Sequence, residues 1–449
     1  MTKFLYIKFN LKNSFQASNK ENKPKTLIKY DCSTECVEFC GSNYIEVMNR
    51  CMKKTDRFDD NFESNLDFMV NDLVLTAPSI SLVCFIAIIF SYILLILFRH
   101  CAHYTVWGII FVCLTLMIVN AGYIWFLYSQ EEKKLFTAII FTFFASVSII
   151  VVIETRERIK LVIQLFKETA KVLFDIPALM AQPIMTFIAT ALAIAPFILF
   201  QVLIESSGTM EMDPSTSKIT LQQNGLIMTA RVLNIVGFAW FTQFLIGCQH
   251  FIIAGTVSKW YFTRDKTKLN SPMKTTYFNL IRFHLGSICL GSWIITIIKA
   301  IRMSMRVMHW IAWTSNRGFG RLIAYFINWL IAQLDIFFRY LLRSAYIIVA
   351  KDGLPFLEAA SKSNDLIFKN LIDVLALNHV GDLVLTMGRL FVVVIAGFFG
   401  YEIMYGQTGV TSIFFPMTFA IVIVHCLVTI FEMTIDTIFL CYCEDVQSN

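Results

Sequence analysis

Residues 73–98 read LVLTAPSISLVCFIAIIFSYILLILF, a run of 26 positions with no charged side chain. Coiled as an α-helix at about 1.5 Å per residue, the run measures about 39 Å, enough to cross roughly 30 Å of bilayer hydrocarbon with some tilt. Further charge-free apolar runs follow at 104–128, 135–153, 176–204 and 232–257. Hydrophobic residues make up 57% of the 449-residue chain and charged residues 16%; soluble globular proteins show about 45–50% and about 25%. The chain therefore reads as all-α, a polytopic transmembrane helix bundle. A membrane barrel would instead show segments of about 10 residues with alternating polarity.

Three more runs carry charge or exceed the bilayer. The run at 283–301 contains Lys299, and 383–404 contains Arg389 and Glu402. The last, 413–443, is 31 residues long, which carries Glu432 and Asp436 to the inner interface or beyond it. Orientation follows from the basic residues, because loops rich in Lys and Arg resist translocation. Residues 154–171 hold Arg156, Arg158, Lys160, Lys167 and Lys171, and 259–282 hold six more basic residues, whereas 205–217 carries Glu205, Glu211 and Asp213 without a basic partner. The first two loops are expected inside and the third outside. Counting back places 1–72 outside as a cysteine-bearing segment, 73–443 as the membrane domain and 444–449 as a short cytosolic tail. Residues 299–352 fit two readings: a return span within 322–350, or amphipathic helices lying on the cytosolic interface and anchored by Trp310, Trp313 and Trp329. No signal peptide is visible ahead of the external segment, so an upstream crossing is expected.

The composition excludes several functions. No GxxxxGK[ST] phosphate loop occurs, and the net charge of +6 sits in short blocks between spans rather than on a nucleic-acid-binding face. No nucleic acid, cofactor or metal is expected. A soluble enzyme is excluded; a membrane-embedded lipid-modifying enzyme or a channel stays as an alternative, although no clustered nucleophile or metal set stands out. His100 and His103 resemble a fragment of a di-iron histidine box, but the other five histidines are far apart, and an interfacial turn accounts for the pair. In the external segment Cys32, Cys36, Cys40 and Cys51 read as two disulfides, with a four-thiolate zinc site as the competing reading.

The run at 232–257 is the most informative. At 100° per residue Trp240, Gln243, Gly247 and His250 share one face, and Thr242, Gln249 and Thr256 share the opposite one. Two polar faces at membrane depth imply contact with other helices or with a substrate path. Other in-membrane aromatics with polar neighbours are Tyr104, Trp107, Tyr123 and Trp125. Glu432 and Asp436 stand one helical turn apart, so they either bear on cation or proton exit or pair with arginines such as Arg339 or Arg343. His425 lies within the same run, where packing and proton sensing compete as readings.

Several stretches carry a family resemblance. Cys248-Gln249, Ala254-Gly255, Trp260-Tyr-Phe-Thr-Arg-Asp-Lys266, Arg282-Phe-His284-Leu-Gly286-Ser287, Gly291-Ser-Trp-Ile-Ile-Thr296, Ser344-Ala-Tyr346, Val380-Gly381-Asp382, Gly388-Arg389 and Glu432-Met-Thr-Ile-Asp436-Thr-Ile-Phe439 resemble the choline transporter-like family of solute carriers. The match runs from about residue 30 onward and is nearest the branch typified by the first choline transporter-like protein. The resemblance implies ten helices, of which about nine fall in this chain, and a cysteine-bearing first external loop of which 1–72 would be the remnant. It implies movement of choline, with ethanolamine as a second substrate, across the plasma membrane or an organelle membrane. It further implies sodium independence and exchange for protons. A quaternary ammonium has no N–H to donate, so aromatic faces would hold it and an amide would meet its hydroxyl. Trp240, Gln243, Gln249, Tyr123 and Trp107 are the substrate-binding candidates, and Glu432, Asp436 and His425 the coupling candidates.

Overall fold

A computed structural model describes residues 26–28, 36–37, 44–47, 50–53, 59–130, 135–207, 209–212, 219–222, 225–269, 271–314, 330, 340–403 and 410–448. Helices dominate: α1 (Asp59–Gln130), α2 (Leu135–Glu154), α3 (Arg156–Asp175), α4 (Gln182–Ser206), α5 (Gly225–Phe262), α6 (Pro272–Asn279), α7 (Leu285–Thr314), α8 (residues 340–352), α9 (Phe356–Lys369), α10 (Leu371–Ala376), α11 (Asp382–Ile403) and α12 (Val410–Ser448). Among the described residues seven helical stretches are long and apolar enough to cross a membrane, which makes the chain an all-α polytopic bundle. The first of them, Ala77–Ser129, is 53 residues long. Helix α1 leaves helical geometry at Cys101 (φ −123°, ψ 25°), between the runs at 73–98 and 104–128. The turn expected at 99–103 is thus a break at one residue, and each run keeps bilayer length.

The chain divides into two compact units. One comprises Met1–Cys84 and Ala396–Phe419. It holds a small sheet of β1 (Thr26–Ile28), β2 (Cys36–Val37), β3 (Tyr44–Val47) and β4 (Arg50–Lys53), in the order β2-β1-β4-β3 with β1 and β4 parallel. The sheet carries Cys36 in β2 and Cys51 in β4, but Cys32, Cys40 and the side chains of all four cysteines lie outside the described residues.

The other unit comprises Phe85–Ile395 and Ala420–Asn449. The loop expected outside forms a hairpin of β5 (Thr209–Met212) and β6 (Ile219–Gln222). The interior is mainly apolar, with a few polar residues among it, and the surface is apolar as well. Phe85, Phe136 and Leu192 are exposed, while Gln249, Ser292, Thr296, Thr434, Asp436 and Thr437 are buried. Lipid solvates the apolar rings, and the buried hydroxyls return to their own helices: Ser292 donates to Ile288, Thr434 to Ile430 and Thr437 to Met433 at 2.7–2.8 Å.

Three helices converge where glycines remove side-chain bulk. A Cβ on Gly247 of α5 would lie 2.9 Å from Ile288 and 3.2 Å from the Tyr346 hydroxyl, and one on Gly291 of α7 would lie 2.7 Å from the same hydroxyl. Tyr346 of α8 fills the space and is fully buried, as are Ala345 and Ile347–Val349. Within the stretch 299–352 that fits two readings, residues 340–352 are helical, with 345–349 buried inside the unit; residues 315–329 and 331–339 lie outside the described residues.

Amphipathic helices line the end expected to face the cytosol. In α3, Ile159, Val162, Phe166, Ala170 and Leu173 recur at helical spacing and are buried, with Arg156, Lys160, Lys167 and Lys171 on other sides. Phe98, Phe166 and Phe431 form a triangle of rings with centroids 5.0–5.3 Å apart. Helix α9 is tied down by charge: Lys362 meets Asp352 at 2.7 Å and Glu444 at 2.8 Å, and Lys351 pairs with both acids. Residues 444–448, which read as a tail, continue α12 and supply Glu444 to this cluster.

Candidate functional site

The polar face of α5 meets α7. The Trp240 ring stands against Trp293 with centroids 6.1 Å apart and planes at 81°, and Phe244 lies 6.3 Å from Trp240 on the other side. One turn along, Gln243 Oε1 accepts a 2.8 Å hydrogen bond from Lys299 Nζ. Beyond Gly247 the same face reaches the His250 ring, 6.4 Å from that of Tyr346. The face read from sequence is thus a continuous seam along α7 and α8. Its upper end has an unsatisfied donor: the Trp240 indole N–H is buried and meets no acceptor among the described residues. An N–H in that state costs about 1–3 kcal/mol unless something accepts from it. Trp293 keeps 44% of its surface exposed, so the perpendicular pair is open on one side.

The opposite face of α5 packs elsewhere. Gln249 is buried at 5% exposure. Toward α4, Asn234 donates to Phe197 O at 3.1 Å and to Gln201 Oε1 at 3.0 Å, Gln201 donates to Glu205 at 2.8 Å, and Arg231 donates to Glu205 at 2.7 Å. This ladder closes the α4–α5 contact near the β5–β6 hairpin and holds α5 in rotation, so that Trp240 faces α7.

Trp107 and Tyr123 lie on α1 and make no ring contact with Trp240 or Trp293. Trp107 lines an indentation with His103, Arg156, Glu157 and Lys160, and Tyr123 is exposed. Among the described residues no group of three or more His, Cys, Asp and Glu could hold a metal ion.

A second cluster joins α8, α11 and α12. Arg343 donates to Asp436 at 2.9 Å and approaches Glu432 at 3.8 Å, while Arg389 donates to Glu432 at 2.6 Å. Asp382, at the start of α11, lies within electrostatic range of both arginines. The two acids of α12 therefore have arginine partners, Arg343 among those expected; Arg339 is outside the described residues. Among the described side chains three carboxylates, Asp382, Glu432 and Asp436, gather about two guanidiniums, and His379 also bears on Asp382. His425 is exposed two turns before Glu432.

Trp293, Lys299 and the partnership of Arg389 were not singled out by the sequence reading. A signal for the first two exists: Cys289, Ser292, Thr296 and Lys299 recur at intervals of three and four in an otherwise apolar run, a polar stripe that marks the face of α7 turned toward α5.

Comparison with known proteins joins these features to a family. Residues 139–447, which include α5, α7, both clusters and the Trp260–Lys266 motif, match the family model described as plasma-membrane choline transporter. Choline transporter-like protein 1 of Xenopus laevis is 27% identical over 405 residues, covering 84% of this chain and 62% of the relative. The protein of the same name from Rattus norvegicus is 27% identical over 402 residues (84% and 61%), and that from Torpedo marmorata is 27% identical over 441 residues (91% and 68%). The chain thus spans about 62% of the length of the first of these relatives. With most of its residues inside the family match, the chain belongs to the plasma-membrane choline transporter family.

Proposed function

We propose that this chain carries choline across a membrane and binds it between Trp240 and Trp293, beside Gln243. The supporting observation is the perpendicular tryptophan pair with a buried indole N–H that meets no acceptor among the described residues. Two ring faces at 81° give a trimethylammonium group two attractive surfaces, each worth about 0.5–2 kcal/mol when desolvated. Choline's hydroxyl oxygen can accept from the Trp240 N–H, and its hydroxyl proton can be donated to the Gln243 carbonyl. That carbonyl already accepts from Lys299 at 2.8 Å, so choline's hydroxyl would use its second lone pair, and the nearby ammonium of Lys299 would repel the bound cation. Gln249, Trp107 and Tyr123 do not join this arrangement.

The crowding of three carboxylates in the Asp382–Arg343–Arg389–Glu432–Asp436 cluster favours a proton or a substrate cation as a balancing charge. On this reading the carrier exchanges choline for protons, needs no sodium, and accepts ethanolamine more weakly because its primary ammonium makes less use of aromatic faces than of hydrogen bonds. The test is radiolabelled choline uptake into proteoliposomes, with and without a pH gradient and with and without sodium. Saturable uptake that is driven by the gradient and indifferent to sodium is expected. The double variant Glu432→Gln, Asp436→Asn should flatten the pH dependence. Channel-like flux that does not saturate, or no choline flux at all from folded protein, would contradict the reading.

A further inference from the structure

Where α1 resumes after its break at Cys101, His103 and Trp107 face the first turn of α3, and with Arg156, Glu157 and Lys160 they line an open indentation. Both walls lie at the end of a crossing: the α2 span stops at Glu154, and the run at 104–128 begins beside the break. The distribution of basic residues makes this the cytosolic interface, where the leaflet is anionic. Glu157 is engaged by Lys160 at 2.9 Å, while Arg156 approaches it through Nε alone at 3.7 Å, beyond hydrogen-bond reach. The fork of Arg156 is thus available to a further anion, and its planar geometry suits a phosphate. Arg158, between them in sequence, is spent on Asp373.

The surroundings favour a lipid over a free anion. Tyr104, Trp107 and Phe111 follow one another at helical spacing on α1, Tyr104 and Phe111 are 79% and 67% exposed, and Ile118 extends the row at 50%. This stripe leads from the indentation toward the bilayer interior, where an acyl chain would lie along it; inorganic phosphate would have no use for it. We infer that the indentation binds the headgroup of an anionic glycerophospholipid of the cytosolic leaflet, with Arg156 and Lys160 on the phosphate, Trp107 at the glycerol level and one acyl chain along Tyr104 and Phe111. The inference does not depend on the transported substrate.

The test is native mass spectrometry of the delipidated full-length chain titrated with phosphatidylserine or phosphatidylcholine. Wild type should retain phosphatidylserine preferentially. A basic group near an anionic surface contributes about fivefold in affinity, so Arg156→Gln with Lys160→Gln should weaken retention by roughly 25-fold. Lys167→Gln with Lys369→Gln removes the same charge from exposed positions outside the indentation and should leave retention within about twofold. Equal loss in both double variants would show attraction to the whole basic face and overturn the site, as would equal retention of the two lipids by wild type. Displacement of phosphatidylserine by millimolar inorganic phosphate would replace the lipid with a free anion and overturn it likewise. Monodispersity and melting temperature close to wild type verify that each variant is folded.

Discussion

Trp240 combines a ring face, a buried N–H without an acceptor among the described residues, and a neighbour one turn away with an amide. Trp240→Ala should weaken choline affinity by about 0.5–2 kcal/mol, and Trp240→Phe should keep part of it, since phenylalanine retains a face but not the donor. Uptake kinetics read this as a raised KM at similar protein level. Lys299 acts in the opposite direction. Its ammonium sits 2.8 Å from Gln243 and repels a second cation, so Lys299→Met should tighten choline binding by roughly 1 kcal/mol. Competition binding checks the sign; weaker binding would show that Lys299 holds Gln243 in its productive orientation instead.

Apolar packing between helices is supplemented here by close approach at small residues and by ion pairs. A Cβ at Gly291 would fall 2.5 Å from the Phe356 ring and 2.7 Å from the Tyr346 hydroxyl, whereas Gly286, five residues earlier, has nothing within 4 Å. Gly291→Ala should therefore cost about 1–3 kcal/mol, and Gly286→Ala should cost little, as read by thermal unfolding in detergent. The docking of α9 gives a prediction in pH. Burial disfavours the Asp352 carboxylate, but hydrogen bonds from Lys362 and Lys351 outweigh it and hold the pKa below the ordinary value. For Lys362 burial disfavours the charge, and Asp352 and Glu444 outweigh it and raise the pKa. The Asp352 contribution is complete above its unfolded pKa and is lost as pH falls through the lowered folded one. The Lys362 contribution is complete below its unfolded pKa and is lost as pH rises through the raised one. Both are intact from about pH 5 to about pH 9. Hydrogen exchange of 356–369, corrected for intrinsic rates, should be flat across that window and rise in Lys362→Met. A step within the window would assign pH sensing to this end of the molecule rather than to the α12 acids.

At the scale of the whole molecule, the crossings were legible because lipid as a solvent demands long apolar runs, and runs such as 135–153 match the observed α2 almost residue for residue. The interruption at 99–103 was legible from the polar residues between two apolar runs, but its confinement to Cys101 was not, because the sequence has no glycine or proline there and the helical trace persists on both sides. Trp240 and Gln243 could be picked out by periodicity within α5, but their partners Trp293 and Lys299 lie about 50 residues away, and nothing local states which two faces meet. For the same reason Glu432 and Asp436 were recognisable as a pair, yet Arg389 was not recognisable as a partner. The central claim is that choline is held on the α5–α7 seam rather than at the other membrane aromatics. Equilibrium binding of radiolabelled choline to the purified chain, with Trp240→Ala, Trp293→Ala and Tyr123→Ala measured beside wild type, tests it most directly. The account predicts saturable binding weakened roughly 2- to 30-fold by each of the first two substitutions and unchanged by the third; loss on Tyr123→Ala with both seam variants binding like wild type would contradict it.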